Sequence, residues 1–343
     1  MTFHVLAVGD KFIPADEYAR QLERMRQDFP VLNSVELITI DWDLAKADQH
    51  RLQQVMEWEG ANAIEAPPEM LAAVGVADAL IVHFAPINND IISAGSQLKM
   101  IAVARAGLEN VDQDAANKRG IHVTGVQGRN AAAVAELAIG LMLSECRNIS
   151  RADQSIKSGG WRKEFPVPMV ELGESTVGII GAGQVAKRLV EKLQGLAGEI
   201  LIHDPYVSED IIVAMGARPA GFDQVFRESD FVHIMARLTP DTERFIGADQ
   251  FRLMKNTAYF INTARSRLVD YDALYWALAN GEIAGAGLDV FDEEPLGDDS
   301  PWRQLDNVTM TTHYGGDTTG TNMTSARLVL AELASFLDSP AGN

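Results

Sequence analysis

An α/β protein with two parallel sheets is predicted by three features of the chain. Short strand-like and helix-like runs alternate from Phe3 to about Thr124, and a long apolar helix follows over residues 131–149. The segment from Thr176 to Tyr206, TVGIIGAGQVAKRLVEKLQGLAGEILIHDPY, then reads as strand, glycine turn, helix, strand and terminal acid. Such alternation is what helices laid on both faces of a parallel sheet require. At 343 residues the chain exceeds one ordinary domain, so two are expected, each able to bury a core.

In the first part, strands are expected at residues 5–8, 36–40, 79–82, 100–104 and 122–124, with helices between them. The helix at 131–149 (AAAVAELAIGLMLSECRNI) is apolar nearly all round, so it is expected to be buried between layers as a crossover into the second domain. Residues 151–170, with KSGGWRKEFPVP, carry the glycines and prolines of a loop or arm. Beyond the glycine turn, strand-like runs recur at 231–234, 259–261, 285–288 and 308–310, separated by helical patterns such as 271–279. A last helix is expected over about 319–337.

The glycine turn carries the clearest chemistry. Val177, Gly178, Ile179 and Ile180 suit a buried parallel strand, Gly181 permits a sharp turn, and Gly183 lets backbone approach a pyrophosphate. The helix that starts there aims its free N–H groups and its dipole at phosphates. Ala186 fills the third small position, and Asp204 ends the next strand, where a carboxylate accepts from both ribose hydroxyls and repels a 2′-phosphate. A bound dinucleotide is therefore expected, NAD rather than NADP. A tight turn in some other α/β unit is the plainer alternative.

Composition narrows the rest. With 47% hydrophobic and 22% charged residues the chain reads as a soluble globular protein. No apolar run nears the roughly 18 residues of a membrane span, and MTFHVLAVGD lacks a basic segment before its apolar residues, so a cytoplasmic protein is expected. The single cysteine, Cys146, excludes an intramolecular disulfide and a cysteine-cluster metal site, and no metal is expected. A formal charge of −19 argues against a nucleic-acid partner. If the substrate is an anion, a few arginines must make a local positive site.

Three further segments look like strand ends, which face the ligand crevice in a doubly wound sheet. NTARSRLVD gives Arg265, GLDVFDEEP gives Asp289 and Glu294, and VTMTTHYGGDT gives His313. Together they suit hydride transfer to a 2-oxo acid: Arg265 holds the carboxylate and polarises the carbonyl, His313 moves a proton, and Glu294 orients His313. Each residue alone has a plainer explanation, as a surface cation, one acid of DEEP or a turn histidine. The other six histidines take that plainer reading, and His4, His203 and His233 lie in apolar strand runs.

From about Leu98 to Leu337 these segments resemble the D-isomer-specific 2-hydroxyacid dehydrogenase family, especially its D-3-phosphoglycerate dehydrogenase-like and hydroxypyruvate or glyoxylate reductase-like members. The family pairs a mid-chain fingerprint with an Arg after N-x-A or N-x-S, a Glu before Pro after L-D-V-F, and a His before a Gly-containing turn. All three occur in order. The resemblance implies Arg265, Glu294 and His313 as catalytic residues. It places Gly181, Gly183, Gln184, Val185, Asp204, Ala236, Thr263, Ala264, Asp289, Gly315 and Gly316 around NAD. It also implies a Rossmann domain, residues 125–312, inserted into a discontinuous flavodoxin-like substrate domain, residues 1–124 and 313–343.

VARAGLENVD resembles the family's substrate loop, in which backbone N–H groups of Ala106, Gly107 and Leu108 cup the carboxylate. In phosphoglycerate-specific members an Arg at the position of Arg105 meets the phosphate. Arg105 thus hints at a substrate with a second anionic or strongly polar end; a positioning arginine at a domain hinge is the alternative. Three departures stand out: Arg237 replaces a common Pro near the adenine and brings a cation toward the cofactor, Ser266 replaces Gly, and Thr312 replaces Pro. Trp161 matches a tryptophan of the family's dimerisation arm and implies a homodimer, against an arm packed on its own domain. The chain is expected to lack the regulatory domain that many phosphoglycerate dehydrogenases append. An NAD(H)-sensing, corepressor-like interaction protein on the same fold stands as the rival to an enzyme.

Overall fold

The computed structural model describes residues 2–339, without the side chains of Ala47 and His50. Residues 1 and 340–343, which the expected substrate domain includes, lie outside the described residues. The chain divides into two compact units, one running to Arg129 and resuming at Thr318, the other spanning Asn130–Asp317. Both crossings lie a few residues beyond the expected limits. Val126 N–H still bonds to Val103 O and Arg105 O, at 3.2 and 3.0 Å, which keeps the chain in the first unit past its last strand. The turn at 313–317 is fastened to Asp289 of the second unit.

The first unit holds β1 (Phe3–Gly9), β2 (Val35–Asp41), β3 (Ala79–Val82), β4 (Met100–Val103) and β5 (His122–Gly125). They pair in parallel in the order β2-β1-β3-β4-β5, the flavodoxin-like arrangement. β3 and β4 are buried at every position, which is why they appear in the sequence as unbroken apolar runs. Alternate residues of β1 serve opposite cores: Val5 and Ala7 join Tyr18, Leu22, Leu330 and Leu333, while Leu6 and Val8 join Met70, Ile91 and Ile101. The helix Thr319–Leu337 thus closes one face of this sheet beside the helix Ala15–Met25.

The second unit holds β6 (Thr176–Ile180), β7 (Glu199–His203), β8 (Arg218–Pro219), β9 (Phe231–Ile234), β10 (Tyr259–Asn262), β11 (Gly285–Leu288) and β12 (Val308–Met310). They form one parallel sheet in the order β12-β11-β10-β9-β6-β7-β8, and the strand order reverses at β6 and β9. Helices cover both faces: Val177 and Ile179 pack with Leu141, Met142 and Leu189, while Ile180, Val232 and Phe260 pack with Phe226 and Leu274. This is a Rossmann-type doubly wound sheet. Among the described residues no helix is long and apolar enough to cross a membrane.

The crossover helix departs from expectation. It spans Ala131–Cys146 and stops short of 149, because Asn148 takes a left-handed conformation, φ 54°. Asparagine tolerates that conformation better than most residues. A second helix, Ile149–Lys157, then occupies the start of the segment expected to be a loop. Arg151 pins the break: buried, it donates to Glu145 Oε2 at 2.8 Å, to Asn148 Oδ1 at 3.3 Å and to the Asp306 carbonyl.

Candidate active site

At the carboxyl ends of β6, β7 and β9 the turns that follow the strands meet. Gly181 has φ +100°, and a Cβ there would press within 2.8 Å of the Met235 carbonyl and the Ala236 nitrogen, so only glycine fits. Asp204 is fixed across this turn: its Oδ2 accepts from Ala182 N–H and its Oδ1 from Tyr206 N–H, both at 2.8 Å. Each oxygen keeps a lone pair. Beside Gly183 the space is open, with no atom within 4 Å of a would-be Cβ, and the helix Gln184–Leu193 begins there without a side-chain cap. Gln184 is exposed, Val185 and Ala264 are half-buried, and the buried Thr263 Oγ1 has no partner. Open backbone, a fixed carboxylate and an unanswered hydroxyl fit a dinucleotide's phosphates and ribose.

Arg265, Glu294 and His313 follow β10, β11 and β12, three adjacent strands, and the structure gathers them. Buried Asn262 shapes the first turn: its Nδ2 donates to Arg265 O at 3.1 Å and to Tyr271 Oη at 3.3 Å, and its Oδ1 accepts from Ala264 N–H at 3.0 Å. Arg265 emerges exposed and donates to the Ala264 carbonyl at 2.8 Å. Glu294 accepts from Phe291 N–H through Oε1 at 2.9 Å and meets His313 Nδ1 through Oε2 at 2.7 Å. Burial alone raises the Glu294 carboxyl; hydrogen bonds from His313 and Phe291, with the charges of His313 and Arg265, hold it below its ordinary value. A carboxylate so placed keeps the proton on Nδ1 and leaves Nε2 to exchange protons.

His313 has φ 55°, a strained conformation for a non-glycine residue. Asp289 holds it. This side chain is 2% exposed; its Oδ1 accepts from Thr311 Oγ1 at 2.5 Å and Tyr314 N–H at 3.2 Å, and its Oδ2 from Gly315 N–H at 2.9 Å. Asp289, expected beside the cofactor, also anchors the histidine turn. Gly315 and Gly316 have packing reasons of their own, since a Cβ would meet Asp289 Oδ2 at 2.9 Å and Asn130 Nδ2 at 2.5 Å respectively.

In the first unit, residues 105–108 follow β4. Ala106 is exposed, Gly107 and Leu108 are half-buried, and the Arg105 guanidinium is tucked under Glu109. A cation open to a second substrate anion is not what the loop presents. Sequence reasoning also passed over Asp10 and His83, at the ends of β1 and β3, where the strand order of this sheet reverses. Asp10 Oδ2 and His83 Nδ1 lie 3.0 Å apart, both buried, and Asp10 Oδ1 accepts from Phe12 and Ile13 N–H at 2.8 Å each. Burial drives the imidazole toward its neutral form and leaves Nε2 without a partner. The available signal was a polar residue closing an apolar strand, the same signal that marked Arg265 and His313.

Residues 139–315 match the family model described as D-isomer specific 2-hydroxyacid dehydrogenase, NAD binding domain. The chain is 36% identical over 289 residues to D-3-phosphoglycerate dehydrogenase of Methanocaldococcus jannaschii, an alignment covering 83% of this chain and 54% of that protein. It therefore spans about half the length of that relative. Glyoxylate reductase of Korarchaeum cryptofilum is 35% identical over 280 residues, covering 79% of this chain and 84% of the relative. Among solved structures, the NAD-complexed D-isomer specific 2-hydroxyacid dehydrogenase of Lactobacillus delbrueckii ssp. bulgaricus superposes with a TM-score of 0.76, covering 97% and 96% of the two chains. At 22% identity that likeness speaks to the fold. With the family model over the glycine turn and two curated relatives across most of the chain, this protein belongs to the D-isomer specific 2-hydroxyacid dehydrogenase family, and its second unit is the family's NAD-binding domain.

Proposed function

We propose that the protein interconverts a D-2-hydroxy acid and its 2-oxo acid, with glyoxylate-, hydroxypyruvate- or phosphoglycerate-like compounds as the substrate class. The observation that carries this reading is the 2.7 Å contact of His313 with Glu294, set at strand ends adjacent to that of exposed Arg265. Gly181, Gly183, Gln184, Val185, Asp204, Ala236, Thr263 and Ala264 would hold NAD, which supplies or takes up the hydride. Arg265 binds the substrate carboxylate and draws electron density from the carbonyl. His313, protonated, donates from Nε2 to the oxygen that becomes the hydroxyl; in the oxidative direction neutral His313 takes that proton back. Glu294 stabilises the charged imidazole and fixes its tautomer. Backbone N–H groups of Ala106, Gly107 and Leu108 bind the carboxylate from the loop after β4.

A homodimer and a cytoplasmic location complete the proposal. Trp161 at 74% exposure and Met169 at 54% lie in the arm-like segment before β6, which supports a self-association surface. The decisive measurement is NADH oxidation with a panel of 2-oxo acids, with His313→Ala as control. Turnover that collapses in the variant is expected. NADH binding without turnover on any acid would instead favour a dinucleotide sensor.

A further inference from the structure

Arg105 and Glu109 stand four residues apart in the loop after β4, and their contact limits what that loop can bind. The Arg105 guanidinium, 6% exposed, lies over the Phe84 ring at 5.3 Å and donates through Nη2 to Glu109 Oε2 at 2.5 Å. Glu109 is the solvent-facing half of the pair, its side chain 42% exposed against 7% for Arg105. Its carboxylate also folds back over the loop, so that a Cβ on Gly107 would collide with it. A second carboxylate, Glu57, acts on the same guanidinium. A ligand approaching this loop therefore meets carboxylate before guanidinium, and the cation is answered from within the chain.

Phosphate esters carry nearly two negative charges at neutral pH. Set about 5 Å from the carboxylate of such a pair and about 3 Å farther from its guanidinium, such a group still loses at least about tenfold in affinity at the effective dielectric of a protein surface. An uncharged hydroxyl loses nothing comparable. Resting on the reading above that residues 105–108 form the substrate loop, we propose that Glu109 is a specificity-determining residue that sets the loop against 2-oxo acids bearing a second anionic group. The far end of the substrate is then uncharged, as in glyoxylate or hydroxypyruvate, and Arg105 serves to hold Glu109 in place.

The test compares kcat/KM for hydroxypyruvate, its phosphate ester 3-phosphohydroxypyruvate, and glyoxylate, all with NADH. The wild-type protein is expected to prefer hydroxypyruvate over the ester by at least about tenfold. Glu109→Gln keeps the shape and removes the charge, and it should raise the ester-to-hydroxypyruvate ratio by about tenfold. Glu109→Asp, which keeps the charge, should leave the ratio near the wild-type value. Adding Arg105→Gln to Glu109→Gln should remove only the share of the gain that the freed guanidinium supplies and leave the ratio above the wild-type value; a full return to the wild-type ratio would overturn the proposal. Wild-type preference for the ester, or a ratio unmoved by Glu109→Gln, would overturn the proposal while leaving the dehydrogenase reading intact. No turnover of any of the three acids would overturn both.

Discussion

Two arginines leave parallel strands at the ligand end of their sheets, and they have opposite fates. Arg265, after β10, stands exposed on a turn braced by Asn262 and extends its charge toward Glu294. Arg105, after β4, is buried against Phe84 and clamped by Glu109. Both lie within three residues of their strand's end; what differs is whether a nearby carboxylate of the chain has already paired with the guanidinium. A strand-end arginine marks where a ligand could bind, and its partner decides whether an anion can.

The strongest way to break that comparison is to remove each cation in turn. Arg265→Ala should lower kcat/KM for a 2-oxo acid by about 10²- to 10³-fold, the range for losing one preorganised charge stabiliser. Arg105→Gln should cost glyoxylate turnover no more than about tenfold. Equal losses in steady-state assays would erase the distinction.

Glu294→Gln probes the carboxylate that meets His313. Losing that partner should leave the orientation and tautomer of His313 unfixed and lower kcat/KM for a 2-oxo acid by about 10- to 10²-fold in steady-state assays. In the wild-type protein the sign of the pH dependence is fixed by the depressed carboxyl. Stability from ionised Glu294 is present above its ordinary 4.5 and lost as pH falls through the lower folded value. Unfolding midpoints measured across the acid range should therefore converge for wild type and variant at low pH. A constant gap would remove the pair from that role.

Asp289→Asn loosens the turn that carries His313 without touching the reacting atoms. We expect about 1–3 kcal/mol of lost stability in denaturant titration and a fall in kcat greater than any rise in KM. An unchanged kcat would leave Asp289 a purely structural anchor. The smallest effect is expected at Asp204→Ala, which should narrow the preference for NADH over NADPH by a few-fold to about tenfold. A ratio unmoved by that change would exclude Asp204 from the ribose site.

Much of this was legible because buried parallel strands write themselves as unbroken apolar runs, and polar residues that end those runs stand out. Arg265, Glu294, His313 and the Gly181 turn were all visible in that way. The break at Asn148 was not, since one left-handed residue leaves the apolar pattern of the helix unchanged on either side. The Asp10–His83 pair joins residues 73 apart, and no periodicity reports such a meeting. Glu109 sits in plain view in RAGLENVD; only the folded loop shows it lying over Gly107 and Arg105.

The return of the chain to its first unit has a consequence for biosynthesis. One face of the N-terminal sheet, with Tyr18 and Leu22, is covered by Ala326, Val329, Leu330 and Leu333 of the closing helix. On the ribosome, the NAD-binding unit therefore emerges complete while the unit begun first still exposes an oily flank. That nascent intermediate is open to chaperones and to aggregation, and a message cut short before Thr318 would hold it there.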